Sequence, residues 1–280
     1  MRYTLMQISD LHAGAPFRPE VAEAVRQQAH ELRPDLLVVS GDLVQRAVVS
    51  SQWRTITSFL ETLPRPQLIV PGNHDVPLFD GFSRIFAPLR YYQRHISSEI
   101  NPRFERPGLA VVGGNSSHGL TMDGGYVGRR QRAALQSIFD SYGNETCKVA
   151  VLHHPVIAPP GTNQTRRIMS NARATLELLE RCNVELYLCG HVHFSYIDFI
   201  AHQNGIEEAM ATRHHGIIIS QSGTTTSRRG RGIDRAKNSF NLIEIDEQHI
   251  RICPHFFEPG PQRFIPMHEH TFTRRHAVGA

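Results

Sequence analysis

The 280-residue chain contains no run of about 18 or more apolar residues, which excludes a helix long and apolar enough to cross a membrane. Its first residues, MRYTLMQISD, lack the apolar core and small-residue cleavage site of a secretion signal and read instead as a β-strand. Cysteine is scarce: Cys147, Cys182, Cys189 and Cys253 are the only four, and none forms a C-x-x-C pair. That argues against a disulfide framework and favours reduced core thiols and a cytoplasmic setting. Neither sign of charge dominates. A net charge of +4 and a pI of about 9.0 mildly favour an anionic partner, phosphate ester or nucleic acid alike. Internal repeats and low-complexity blocks are also missing.

What the chain does have is apolar material for a substantial core, 40% of residues, and 17 histidines. The first half alternates strand and helix patterns. Strands are expected at 3–8, 35–40 and 67–70, with helices over 19–32 and 51–62 between them. Such a βαβαβ start implies parallel strands joined by crossover helices. Residues 76–107 mix aromatics, arginines and prolines and read as an insertion or lid. Strands return at 109–113, 147–152 and 184–189, with helices before the last two. After about residue 195, consecutive strands at 195–201, 216–220, 239–245 and 249–256 suggest an antiparallel section in a second sheet. The expected organisation is one catalytic domain over 1–257 and a tail or arm, rich in Pro, His and Arg, over 258–280.

Five short motifs fall where these strands end. They are Asp10-Leu11-His12, Gly41-Asp42, Gly72-Asn73-His74-Asp75, His153-His154 and Gly190-His191-Val192-His193. In an open parallel sheet, ligands bind at the carboxyl ends of the strands, so these distant segments can converge on one crevice. Asp10, His12, Asp42, Asn73, His153, His191 and His193 are oxygen and imidazole metal donors with no thiolate among them. Such a set suits manganese, iron, zinc or cobalt rather than a cysteine-built structural zinc. Seven donors are too many for one ion and suit two that share a carboxylate. The glycines before Asp42, Asn73 and His191 are expected to permit tight turns with unusual dihedrals. Two divalent ions bring +4 against −2 from Asp10 and Asp42, and the surplus would attract a phosphate anion. Two ions about 4 Å apart can hold an attacking hydroxide for in-line displacement.

In their order, D-x-H, G-D, G-N-H-D, H and G-H-x-H resemble the calcineurin-like metallophosphoesterase superfamily. The resemblance implies a four-layer α/β/β/α sandwich, two mixed sheets flanked by helices, with two metal sites at the strand ends. It implies that Asp10, His12 and His193 hold one ion, that Asn73, His153 and His191 hold the other, and that Asp42 bridges them. His74 would contact the phosphate and protonate the leaving oxygen, and Asp75 would orient local groups. The stretches Gly41-Asp42-Leu43-Val44-Gln45-Arg46-Ala47 and Pro71-Gly72-Asn73-His74-Asp75 depart from the protein-phosphatase versions of these motifs. The run Val70-Pro71-Gly72-Asn73-His74-Asp75, the late G-H-x-H and the segment from Ser222 to Arg229, followed by Asn238-Ser239-Phe240-Asn241, are similar to the class III cyclic-nucleotide phosphodiesterases and their glycerophosphodiesterase relatives.

The resulting expectation is a dinuclear phosphodiesterase acting on small phosphodiesters, 3′,5′-cyclic nucleotides among them. A nuclease, a phosphomonoesterase and a non-catalytic binding scaffold are the alternatives. No membrane partner is expected, and a homodimer is a reasonable assembly. Arg228, Arg229, Arg231 and Arg235 read either as a solvated loop or as contacts to phosphate or nucleic acid. Residues 78–95 read as a lid gripping a base or alcohol, or as a packed helical insertion. Asn115 is a weaker candidate for the crevice. His154 stands between supporting a ligand and a structural role. His118, His202, His214 and His215 read as core histidines.

Overall fold

The computed structural model describes residues 1–78, 80–121, 123–159, 167–201 and 216–275. Two β-sheets lie face to face with helices on both outer sides. The first sheet begins with β1 (Arg2–Ile8), β2 (Leu36–Val39) and β3 (Gln67–Ile69), parallel to one another and joined through α1 (Pro19–Leu32) and α2 (Ser50–Glu61). The second sheet contains β4 (Arg103–Arg106), β5 (Leu109–Gly113), β6 (Cys147–Val151), β7 (Val184–Cys189), β8 (Tyr196–Ala201) and β9 (Gly216–Gln221). Here β5, β6, β7 and β9 run parallel, while β4 and β8 are antiparallel edges. Helices α5 (Arg129–Asp140) and α6 (Ala172–Arg181) cover its outer face.

The central strands are almost wholly apolar because both of their faces are buried. Along β2, Leu36 and Val38 face the opposing sheet, while Leu37 and Val39 face the helices. Along β7, Leu186 and Leu188 point between the sheets, and Tyr187 and Cys189 point toward α5 and α6. Three packed interiors separate four layers: helices on the first sheet, sheet on sheet, and the second sheet on its helices. The helices supply one stripe each. Val21, Ala24, Val25 and Ala29 of α1, and Trp53, Ile56 and Leu60 of α2, recur at helical spacing and are buried.

Two expectations about the later chain are corrected. Strands β10 (Ser239–Asp246) and β11 (His249–Glu258) do not extend the second sheet. They join the first, with β10 antiparallel to β1 and β11 beyond it. The stretch read as a tail adds β12 (Arg263–Pro266) and β13 (His270–Thr273), both antiparallel to β11. Phe264 drives this docking by packing on Phe240 and Phe257 in the core. Beyond β13, buried Arg274 donates to Glu185 at 2.9 Å and pins this stretch to the second sheet.

The 76–107 stretch divides in two. Helix α4 (Arg90–His95) is packed: Tyr92 is buried and donates to the Ile69 carbonyl at 2.8 Å. Helix α3 (Gly81–Phe86) leaves Phe82 and Phe86 more than 70% exposed. Three cysteines are buried, Cys253 is partly exposed, and all four are free. Among the described residues, no helix is long and apolar enough to cross a membrane.

Candidate metal centre

The parallel strands of both sheets end at one place, and the five motifs meet there. Asp10 and His12 follow β1, Asp42 follows β2, Asn73 follows β3, His153 follows β6, and His191 and His193 follow β7. All of these except Asn73 are at most 3% exposed. The turns that present them are strained. Asp10 (φ 53°), His12 (φ 48°), Asp42 (φ 55°), His191 (φ 76°) and His193 (φ 56°) all occupy the left-handed region, which side chains other than glycine enter at a cost of about 1–3 kcal/mol each. The unusual dihedrals therefore sit on the donors themselves more than on the preceding glycines. Gly41 does have φ 97°, but Gly72 is extended. Gly72 and Gly190 are needed for close approach instead. A Cβ at Gly72 would lie 2.2 Å from the Asp42 backbone nitrogen, and one at Gly190 would lie 2.4 Å from Asp10 Oδ2.

The donors form two connected groups. In the first, His12 Nε2 and His193 Nε2 face each other at 3.0 Å. Asp10 Oδ1 lies 3.1 Å from His193 Nε2, and Asp42 Oδ2 lies 3.6 Å from His12 Nε2. In the second, Asn73 Oδ1 is 3.0 Å from His191 Nδ1 and 3.2 Å from His153 Nε2. Asp42 Oδ1 is 3.4 Å from His153 Nε2, so one carboxylate turns an oxygen to each group. Asp10 Oδ1 and Asp42 Oδ2 are buried and have no hydrogen-bond partner among the described residues. Buried carboxylate oxygens without donors are costly unless a cation meets them. These oxygens, beside convergent imidazole nitrogens and with no thiolate, fit a pair of divalent ions.

Surrounding groups fix the donors' orientation. Asp10 Oδ2 accepts from Ser9 Oγ at 2.7 Å and from the His191 backbone N–H at 2.9 Å, which turns Oδ1 inward. His153 Nδ1 donates to the Ser40 carbonyl at 2.7 Å, and His193 Nδ1 donates to the Arg229 carbonyl at 3.0 Å. Each leaves the opposite nitrogen for the centre. The Ser222–Arg229 run does much of this bracing. Thr224 Oγ1 donates to the Asp10 carbonyl at 2.7 Å and Thr226 Oγ1 to the Leu11 carbonyl at 3.0 Å.

Electrostatics follow from burial against neighbouring charge. Burial pushes the Asp10 and Asp42 carboxyls up, but the histidines around them outweigh it and hold both well below the usual range. Burial depresses His12 to about 3. Burial also opposes the charged form of His153, yet Asp42 and Asp10 prevail and raise it to about 9. Asp75 is raised to about 7 by burial and by Asp42. It is wholly buried and accepts backbone N–H groups from Leu43 (3.0 Å), Val44 (3.1 Å) and Gly72 (2.8 Å). Asp75 thus ties the loops after β2 and β3 together.

His74 stands at the rim. Its backbone N–H donates to Asp42 Oδ1 at 2.8 Å, and its Nδ1 donates to the Gln45 carbonyl at 2.9 Å. Arg229 Nη1 donates to its Nε2 at 3.0 Å, so Nε2 is an acceptor in this arrangement. Asn73, His74, Gln45, Leu78, Arg84 and Arg229 help line a cavity of about 430 Å³ beside the donors. Asn115 is buried and accepts from the Ser117 backbone N–H at 2.8 Å, the geometry of a turn after β5. His154 packs on His153 and His191, and its Nδ1 lies 2.9 Å from Ser116 Oγ. His118 is half-buried against Tyr126, while His202, His214 and His215 lie outside the described residues. Sequence reasoning did not single out the His74–Arg229 contact, because Arg229 sits in an arginine run whose placement depends on the fold.

A sequence model described as calcineurin-like phosphoesterase matches residues 3–195, well over half of the chain. The chain belongs to the calcineurin-like phosphoesterase family. Solved structures with the same fold include the purple acid phosphatase PPD1 from yellow lupin seeds, at 13% identity and a TM-score of 0.72. That similarity covers 99% of this chain and 54% of the lupin chain, so this chain spans about half of that protein's length. A dimetal phosphatase from Danio rerio matches at 15% identity and a TM-score of 0.65, covering 97% of this chain and 98% of that one. GAP50, described as the anchor in the inner membrane complex of Plasmodium, matches at 14% identity and a TM-score of 0.61, covering 97% and 89%. No curated protein sequence matches the chain. The clustered Asp and His side chains in this fold suggest a dinuclear divalent metal site and a metal-dependent phosphoesterase.

Proposed function

We propose that this calcineurin-like phosphoesterase is a phosphodiesterase that hydrolyses small phosphodiesters, with 3′,5′-cyclic nucleotides the class its motif resemblance favours. The observation that carries the proposal is Asp42, which turns one oxygen to His12 and the other to His153 and so joins two donor groups into one centre. Asp10, His12 and His193 would hold one ion and Asn73, His153 and His191 the other. When bound, the two ions supply Lewis acidity and lower the pKa of a water toward about 7. The chain's own residues do the rest. Strained turns fix the donors before substrate arrives, which reduces the reorganisation left for the reaction. His74 lies beside Asp42 and lines the cavity, where it can give a proton to the leaving oxygen. The cavity of about 430 Å³ is the size of a pocket for a small alcohol or nucleoside.

GAP50 is described as an anchor, so the fold by itself does not make an enzyme. The full set of seven donors favours catalysis over a scaffold. The test is a substrate panel on metal-free protein reconstituted with Mn²⁺: cyclic AMP, a glycerophosphodiester, bis-p-nitrophenyl phosphate, p-nitrophenyl phosphate and single-stranded DNA. Preference for a small diester is expected. Preference for the monoester or for DNA would reassign the substrate class, and inertness toward all five with two ions bound would favour the scaffold.

A further inference from the structure

Arg229 serves the site twice, once through its backbone and once through its side chain. Its carbonyl accepts from His193 Nδ1 at 3.0 Å. Its guanidinium lies across the cavity rim, where Nη1 donates to His74 Nε2 at 3.0 Å and to Gln45 Oε1 at 3.1 Å. Nη1 carries two hydrogens, and these two bonds use both. Every hydrogen bond from this guanidinium to a described residue runs through Nη1. The Nε–Nη2 edge is the planar fork that binds two oxygens of a phosphate at once.

Charge around this edge also points to an anion. Burial disfavours the charge of Arg231, whose backbone N–H donates to the His193 carbonyl at 3.1 Å, and Arg167 and Arg229 add repulsion that Asp123 and Asp10 oppose. Arg167 pairs with Asp123 at 3.3 Å. Three guanidiniums thus gather beside a centre whose ions would add further positive charge. Such a concentration of cations is stabilised by an anion that several of them share.

We infer that Arg229 contacts the substrate, its Nε–Nη2 edge gripping the non-bridging oxygens of the scissile phosphate, and that its bond to His74 is the ligand-free arrangement. The inference rests on the phosphoesterase reading and adds to it a phosphate-binding residue outside the metal donors. Substitution of the side chain leaves the backbone carbonyl that holds His193 in place, so the two roles of Arg229 can be separated.

The experiment compares wild type, Arg229→Gln and Arg229→Lys as full chains loaded with Mn²⁺. Inorganic phosphate binding is measured by calorimetry, metal content by elemental analysis, and kcat and KM on bis-p-nitrophenyl phosphate. Arg229→Gln should keep wild-type metal content and bind phosphate about 10- to 100-fold more weakly, the effect of losing hydrogen bonds to a charged group. Arg229→Lys should recover part of the loss as a point charge without the fork. Wild-type phosphate affinity in Arg229→Gln would overturn the inference, as would loss of metal from that variant. A wild type that binds phosphate but hydrolyses no ester would sink the phosphoesterase reading, and the calorimetry would still judge Arg229.

Discussion

Asp42→Asn removes one charge and almost no volume from the point where the two donor groups meet. The amide oxygen can still accept the His74 backbone N–H that Asp42 Oδ1 takes at 2.8 Å. Its NH₂ would then replace Oδ2, which lies 3.6 Å from His12 Nε2 and has no hydrogen-bond partner among the described residues. A donor would point where a cation's ligand should be. A unit charge about 4 Å from another, in an effective dielectric near 20, contributes about 4 kcal/mol. That corresponds to roughly a 10³-fold loss of affinity for each unit of ion charge. The metal-free variant should still fold, since the substitution keeps the side-chain volume and the bond from the His74 backbone N–H. Calorimetric Mn²⁺ titration together with thermal denaturation gives the readout. The expected outcome is loss of two-ion binding, a melting temperature that Mn²⁺ no longer raises, and activity down at least 10³-fold. Two ions bound with wild-type affinity and full turnover would refute the bridging role.

Further outcomes follow from the same geometry. His74→Ala should keep both ions and lower kcat by about 10²- to 10⁴-fold, the range for loss of a general acid, and loss of metal in elemental analysis would mean that His74 is a donor instead. In metal-free protein, His153 holds its proton up to about 9, above its ordinary 6.5. Metal must displace that proton, so Mn²⁺ affinity should rise with pH across this window, with proton release detected by calorimetry in buffers of different ionisation enthalpy. The same raised value means that the protonated His153 stabilises metal-free protein fully below 6.5, and that this contribution is lost as pH rises through about 9. Gly190→Ala would put a Cβ 1.9 Å from Ser9 Oγ and 2.4 Å from Asp10 Oδ2, so metal affinity should fall at least tenfold, and unchanged affinity would contradict the close-approach argument.

The site was largely legible in the sequence because its donors directly follow apolar runs. LLVV of β2 and VELYLC of β7 read as buried strands, and Asp42 and His191 come just after them. Strand-end placement is a local property, so periodicity can find it. Sheet membership is not local. Strand β10 alternates buried and partly buried residues, which signals two unequal faces but not that β1 is its neighbour. Strands β12 and β13 were hidden because only a few apolar residues, Phe264 and Phe272 chief among them, anchor them within a polar stretch. Left-handed backbone at Asp10, His12 and His193 likewise leaves no composition signal, since no glycine marks those positions. Arg229 illustrates the remaining gap: four arginines in eight residues read either as a solvated loop or as contacts to phosphate or nucleic acid, and only the fold brings one of them onto His74.

The most direct measurement titrates Mn²⁺ into metal-free protein while following hydrolysis of bis-p-nitrophenyl phosphate and counting bound ions. A dinuclear centre joined by Asp42 predicts negligible turnover without metal and a plateau at two ions per chain. Full activity at one ion, or in metal-free protein, would contradict it.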